Sequence, residues 1–443
     1  MKTTLFILIF LLTASICEAI ERPKIIVLTD IGGDTDDEQS MVRFLLYADV
    51  FDIKAICATS RLGHGKDTKP ELIRKQIEAY RSVYPNLLLH SENFPSPDYL
   101  SSLVKNGQGE PDNFGDGLDS EVSDFIIKTV DDATETVHLL IWGGQRELAQ
   151  ALWKIRATRS KEKVTLFCKK MQVHAIGDQD KHRDWILDNF KHINYIANGY
   201  AFHGNFGTRE ISVFRGMYMT GDVSMQDREW VKNHIHGHGA LGDCYPLDGH
   251  GTNGMKEGDS PSFLGLIANG LNVPTKPEWG GWGGRFRRLS NNLYIDGQDF
   301  LDGTLNERHT VSRWRPAFQR DFMARLDWCV ESYGDANHNP VVSVNGNMGK
   351  NPMEINAEVG EQLTFDASDS IDPDNDSLSF DWFFYNELSQ TDCLPVTLES
   401  DGEKCIVEIP SRLSGRSLHL ILEVRDNGTP SLSSYRRIVV HVD

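Results

Sequence analysis

The sequence predicts a doubly wound α/β domain with a mainly parallel sheet, followed by a small all-β, immunoglobulin-like sandwich. Three observations predict it. Strand-like and helix-like runs alternate from Lys24 to about Val173, the pattern of right-handed crossovers with helices on both faces of a sheet. A strand that stops at a glycine pair and continues as a helix occurs twice, at Asp30-Ile31-Gly32-Gly33 and at Trp142-Gly143-Gly144. After His338-Asn339-Pro340 the helical periodicity ends, and short β-rich runs separated by turn residues take over.

The chain has 443 residues, more than one ordinary core holds. The expected division is a signal peptide over 1–19, an α/β domain over 22–336 and the sandwich over 338–443. Lys2, the apolar run Leu5 to Leu12 and the exit Cys17-Glu18-Ala19 read as a secretory signal cleaved after Ala19. The apolar run is too short to span a bilayer. Lipid modification of Cys17 is the competing reading, and bulky Ile16 before it fits that poorly. A secreted or periplasmic protein is expected. The net charge of −19 argues against nucleic acid or an anionic membrane surface as partner. Export leaves six cysteines, without metal-finger spacing. Cys393 and Cys405 are close enough to staple a loop in an oxidising compartment, while Cys57 and Cys168 lie in strand-like apolar runs and read as buried thiols.

Taken in order, Ile25–Thr29 is a strand and a helix begins near Asp37, with Met41, Val42, Leu45 and Leu46 at helical spacing. Phe51–Thr59 is a strand and Pro70–Val83 a helix. Leu139–Trp142 and Gln145–Trp153 form the next pair, and Val164–Phe167 and Val173–Ile176 read as further strands, with a short helix at Trp185–Phe190. Between about Gly199 and Val311 the pattern breaks into Gly-, Trp- and His-rich segments, of the kind that carry function in compact domains. Arg313 to Tyr333 is helical again. The sandwich strands are Val341–Val344, Gln362–Phe365, Leu378–Trp382, Cys405–Ile409, Leu418–Val424 and Arg437–Val442.

The chemistry gathers where the first strand ends. Asp30, Asp34, Asp36 and Asp37 fall within eight positions, with glycines between. Acids also favour the first turn of any helix. Four of them at the carboxyl edge of a parallel sheet, where open α/β folds place their ligand crevice, suit a hard cation that wants several oxygens.

This loop resembles the acid signature of nucleoside hydrolases, a strand running into Asp-x-Asp-Pro-Gly-x-Asp-Asp and then a helix. Thr29-Asp30-Ile31-Gly32 matches the opening and Asp36-Asp37 the closing pair, with two extra residues between. A gapless alignment would instead place Gly32 where that family has its catalytic aspartate. More of the chain resembles a narrower group of exported, nucleoside-hydrolase-like proteins described as cellulose-binding. Trp142-Gly143-Gly144, Ile176-Gly177-Asp178-Gln179-Asp180, Glu257-Gly258-Asp259-Ser260-Pro261-Ser262-Phe263, Trp282-Gly283-Gly284-Arg285 and Arg313-Trp314-Arg315 carry that resemblance. It implies calcium held by Asp30, Asp37 and Asp259, Asp30 as the base that activates water, and Asp36 as acceptor from sugar hydroxyls. The family's Asn after the second strand is replaced by Thr59-Ser60-Arg61. Asn205 and Glu210 are the candidates for the remaining sugar contacts.

Other motifs have two readings each. Trp279-Gly280-Gly281-Trp282-Gly283-Gly284-Arg285 either lines a carbohydrate site, with Trp282 stacking and Arg285 forking to hydroxyls, or packs on the domain. His234, His236 and His238 alternate like zinc ligands, but lack a fourth ligand and read as loop histidines. Asp178, Asp180 and Asp184 either join the crevice rim or cap a helix. The Asp-rich run Asp366 to Asp376 resembles the turns of polycystic-kidney-like and cadherin-like modules, where calcium or plain Asx turns both fit. Two functions remain: a calcium-dependent hydrolase of N-glycosyl or related glycosidic bonds in a small sugar-containing substrate, or a binder of cellulose or other plant cell-wall polysaccharide built on a hydrolase fold.

Overall fold

The computed structural model describes residues 22–200, 213–249, 253–389 and 396–443. Eight strands form the large sheet: β1 (Lys24–Thr29), β2 (Asp52–Ala58), β3 (Val104–Asn106), β4 (Val137–Ile141), β5 (Met171–Ala175), β6 (Asn194–Ala197), β7 (Phe286–Arg288) and β8 (Leu293–Asp296). Their order is β3-β2-β1-β4-β5-β6-β8-β7. Every neighbouring pair is parallel except β7 against β8. Burial explains the composition: Ile25 to Leu28 of β1 and Leu139 to Ile141 of β4 are closed off on both faces, so the strands read as continuous apolar runs. The chain moves outward from β1 through β2 to β3, then returns to the other side of β1 as β4. The order of connection therefore reverses between β1 and β4, and open α/β folds place their ligand crevice beyond the carboxyl ends of the strands at such a point.

Helix α1 (Thr35–Leu46) follows β1, with Asp34 as N-cap accepting from Thr35 N at 2.9 Å. Helix α2 (Pro70–His90) follows β2, and Arg146–Thr158 follows β4. The apolar stripe of α1 packs on one face of the sheet with Phe263, Phe318 and Phe322, and the helices Glu121–Asp132 and Arg146–Thr158 cover the other.

Val164–Phe167, expected as a strand, lies within the helix Lys161–Lys169, capped by Ser160. Its apolar positions Val164, Phe167 and Cys168 recur at helical spacing, which a four-residue window does not separate from a strand. The segment after Gly199 also contributes β7 and β8, three and four residues long, too short for the sequence pattern to mark.

The carboxyl-terminal strands build a β-sandwich. One sheet holds Met353–Ala357, Ser433–Val442, Ser417–Arg425 and Ser379–Phe384, and the other holds Gln362–Asp366, Lys404–Glu408 and Leu398–Ser400. Trp382, Phe365, Leu420 and Val440 pack between them. Only Ser343–Val344 of the expected first strand is regular. Cys405 is buried in this core, while Cys393 lies outside the described residues. The sandwich docks on the α/β layer through Tyr435 N to Asn269 O at 3.0 Å, Arg437 N to Gly270 O at 3.1 Å, and a buried Asp299 that accepts from Arg285, Arg313 and Tyr385. No described helix is long and apolar enough to cross a membrane.

A candidate cation and sugar site at the sheet edge

Asp30 is the first residue past β1. Its carbonyl accepts from Gly33 N at 3.0 Å, closing a tight turn that Gly32 enters at φ +83°. With Asp34 as its cap, α1 starts at Thr35 with Asp36 and Asp37 in its first turn. Thr29 Oγ1 donates to Asp37 and accepts from Ile31 N at 3.1 Å, tying the strand end to the helix start. Gly143 ends β4 directly beside this point. A Cβ there would stand 2.7 Å from Asp30 Oδ1, so only glycine admits the carboxylate.

Asp259 arrives from far along the chain. Glu257, at φ +44°, turns the backbone, and its carboxylate receives Arg43 Nε at 2.5 Å, Tyr245 OH at 2.7 Å and Ser260 Oγ at 2.7 Å. Gln39 fixes the same turn to α1, accepting from Lys256 N at 2.7 Å and donating to Gly254 O at 2.9 Å. Ser262 Oγ donates to Asp259 O at 2.7 Å and accepts from Trp142 Nε1 at 2.9 Å, linking the turn to the end of β4.

Asp36, Asp37 and Asp259 can each place a carboxylate oxygen within 4.8 Å of the others. Asp30, the expected ligand, adjoins this trio through a hydrogen bond between its carboxyl and that of Asp37, and is not itself one of the three converging acids. Burial, then the charge of Asp36, pushes the Asp30 carboxyl up to about 7. Burial followed by Asp30 raises Asp37 well above the ordinary carboxylate range, and burial followed by Asp37 does the same to Asp259. Asp36, at the crevice edge, is raised by burial and partly relieved by Lys256. Asp259 Oδ2 is buried without a hydrogen-bond partner. Buried carboxylates this crowded are costly unless a cation joins them, and an all-oxygen donor set with one orphaned oxygen fits calcium.

The other expected site residues lie elsewhere. Trp282 is 1% exposed, packed 6.4 Å from the rings of Phe318 and Tyr435. It has no open face for a sugar, so the expected stacking role is corrected to a core role. Arg285 spends its guanidinium on Asp299 at 2.6 Å and on Gln298 O, bracing the sandwich rather than facing a ligand. Trp279 packs edge-on to His419 of the sandwich. Asn205 and Glu210 fall outside the described residues. Asp180 caps the helix after β4 through Arg146 N at 2.7 Å. His236 bonds Tyr245 O and His238 pairs with Asp327, as loop histidines do. In the Asp-rich run, Asp372 Oδ1 accepts from Asp374 N and Asp376 N, an Asx turn. Arg61 braces the Gly32 turn at 3.2 Å. The sequence reading missed Gln39, Arg43, Lys256 and Glu257. The signal for the first two was there: polar side chains four apart inside the buried stripe of α1.

A sheet that changes direction beside β1, with acids from two distant segments at that point, is a nucleoside-hydrolase-like arrangement. Residues 24–286 match the family model described as "Cellulose-binding Sde182, nucleoside hydrolase-like domain", and residues 362–442 match "Cellulose-binding protein Sde0182, C-terminal domain". The chain belongs to this family. It is similar to the solved structure of a nucleoside hydrolase-related protein from Saccharophagus degradans associated with carbohydrate metabolism, with 35% identity over 96% of this chain and 100% of that one and a TM-score of 0.81. The effector protein XOO4466 matches at 9% identity over 70% of this chain and 93% of its own, with a TM-score of 0.38. Human CDH23 repeats EC21-23 match at 14% over 24% and 33%, with a TM-score of 0.18. These two are too distant to inform function. No curated protein matches the chain.

Proposed function

We propose that the protein is a calcium-dependent glycosidase, cleaving an N-glycosyl or related glycosidic bond in a small sugar-containing compound. The observation that carries this reading is the convergence of Asp36, Asp37 and Asp259, with Asp30 beside Asp37 and Asp259 Oδ2 left unpaired. Asp30, Asp37 and Asp259 would hold the ion, which supplies a Lewis-acidic positive centre when bound. Asp30 takes the proton of an attacking water on a carboxylate oxygen. Asp36 accepts from the sugar hydroxyls and orients the ring. As the bond to the leaving group stretches, the sugar becomes cationic and the crowded carboxylates stabilise that charge; the water oxygen bonds to the anomeric carbon, and the leaving group departs with the bonding electron pair and takes a proton from solvent. The amino-terminal signal over 1–19 would export the chain to a compartment rich in calcium, leaving an α/β unit of 22–336 and an accessory sandwich of 338–443.

The test is sugar release from a panel of nucleosides and small glycosides, with and without chelator. Release that stops on chelation supports the proposal. No release from any compound, together with a melting temperature indifferent to chelator, would sink it.

The family description favours a second reading, retention on cellulose. Depletion of the full chain from solution by insoluble cellulose supports it, and a supernatant that keeps all the protein counts against it. The burial of Trp282 means that any such binding would use another surface.

A further inference from the structure

One of the crowded acids has a basic partner. Lys256 Nζ contacts Asp34 and lies 3.5 Å from Asp36 Oδ1. Asp30, Asp37 and Asp259 have no ion pair with a lysine or arginine among the described residues. Lys256 is not a loose surface lysine. Its side chain is 14% exposed, and its backbone N–H is held by the buried Gln39. The next residue, Glu257, is locked by Arg43 and Tyr245. The turn that delivers Lys256 and Asp259 is thus pinned to α1, which delivers Asp36 and Asp37.

Asp36 lies close enough to Asp37 and Asp259 to serve as a cation ligand itself. Its surroundings oppose that use. Oδ1 faces the ammonium at 3.5 Å, while the absence of a side chain on Gly258 gives Oδ2 its room beside the turn.

We propose that Lys256 is a positioning residue that keeps Asp36 out of the cation's ligand set. It holds Asp36 toward the crevice, where the carboxylate accepts from ligand hydroxyls, and leaves Asp30, Asp37 and Asp259 to the ion. This rests on the cation reading of the site.

Calorimetric titration of the full chain with calcium alone, at about pH 8, tests it. Lys256→Met should bind calcium about three- to tenfold tighter, because it removes a repelling charge and frees Asp36 to join the ion. Lys256→Arg should stay within about twofold of the parent. Made in an Asp36→Asn background and compared with the Asp36→Asn single variant, Lys256→Met should tighten binding by about twofold or less, the bare charge effect, since the cycle isolates the coupling between the two side chains. A Lys256→Met protein that binds calcium equally or more weakly overturns the proposal, and so does tightening of undiminished size in the Asp36→Asn background. Lys256→Gln carries the same test if Lys256→Met does not fold. Absence of calcium binding by the parent would refute the cation reading, and this inference with it. Parent binding with an unchanged Lys256→Met refutes the inference alone.

Discussion

Calcium-free protein should lose stability as the solution is taken from about pH 6.5 to about pH 8. Folding moves the Asp30 carboxyl from 3.8 to about 7, chiefly through burial and next through the Asp36 charge. Asp37 and Asp259 move the same way. A carboxyl raised by folding stays protonated in the folded chain at a pH where the unfolded chain has released the proton. The folded state binds more protons, so stability falls as pH rises. For Asp30 alone the whole difference corresponds to about 4 kcal/mol. Near neutrality the slope is about 1.4 kcal/mol per pH unit for each extra proton the folded cluster holds. The window is set by other groups. Below about pH 6.5, His138 and His174, whose imidazoles burial holds down at about 4, pull the opposite way. Above about pH 8, buried thiols such as Cys168, pushed up to about 12, add a loss of their own. Asp296, raised to about 7 by burial, and His238, raised by Asp327, contribute inside the window, but both stand outside the acid cluster. Calcium is therefore the discriminating variable. Urea unfolding at several pH values, in chelator and in calcium, should show a steep fall that calcium flattens. Calcium at about a hundredfold its Kd should add about 2.7 kcal/mol at the upper end. A slope unchanged by calcium would mean that the cluster neither holds these protons nor binds the ion.

Asp259→Asn should weaken calcium binding by more than the about 10–100-fold typical of changes behind the ligands. It should also raise the melting temperature of chelated protein at about pH 8, because one of several like charges is gone; calorimetry and thermal melts read both. Gly143→Ala puts a Cβ 2.7 Å from Asp30 Oδ1 and 2.8 Å from its Cβ and Cγ. It should cost about 1–3 kcal/mol of stability and lower turnover further than that loss explains, measured where both proteins are fully folded. Trp282→Ala should cost about 3–5 kcal/mol in urea unfolding and leave retention on cellulose by the still-folded protein unchanged; a selective loss of retention would restore Trp282 as a sugar contact.

The fold was legible because its main signals are local. Closed-off β1 and β4 are continuous apolar runs, α1 carries its stripe, and the glycine pairs at Gly32-Gly33 and Gly143-Gly144 mark the turns that meet at the crevice. Asp30, Asp36 and Asp37 were legible as a cluster, and Asp259 was reached only through the family resemblance, since more than two hundred positions separate it from them. What escaped depends on burial, which one sequence does not display. Trp282 and Arg285 have the residue types of a sugar site, but their glycine-rich segment is pressed against the sandwich, and Asp299, Phe318 and Tyr435 use them up. Lys256 and Glu257 look like ordinary loop charges until Gln39 and Arg43 are seen to hold them.

The turn between Asp30 and Asp36 keeps the acids of the loop together. A longer strand or helix across those positions would push them apart. Instead the Gly33 N–H closes onto Asp30 O, Gly32 takes the left-handed conformation, and Asp34 becomes the helix cap. Successive helical residues then point about 100° apart. Asp37 is directed to Thr29, and Asp36 is turned toward the crevice edge. Asp34 brings a further charge to a region already crowded with like charges. Lys256 offsets that charge, and the same ammonium reaches Asp36. Turn and lysine therefore act together: Asp34 holds the base that sets the direction of Asp36.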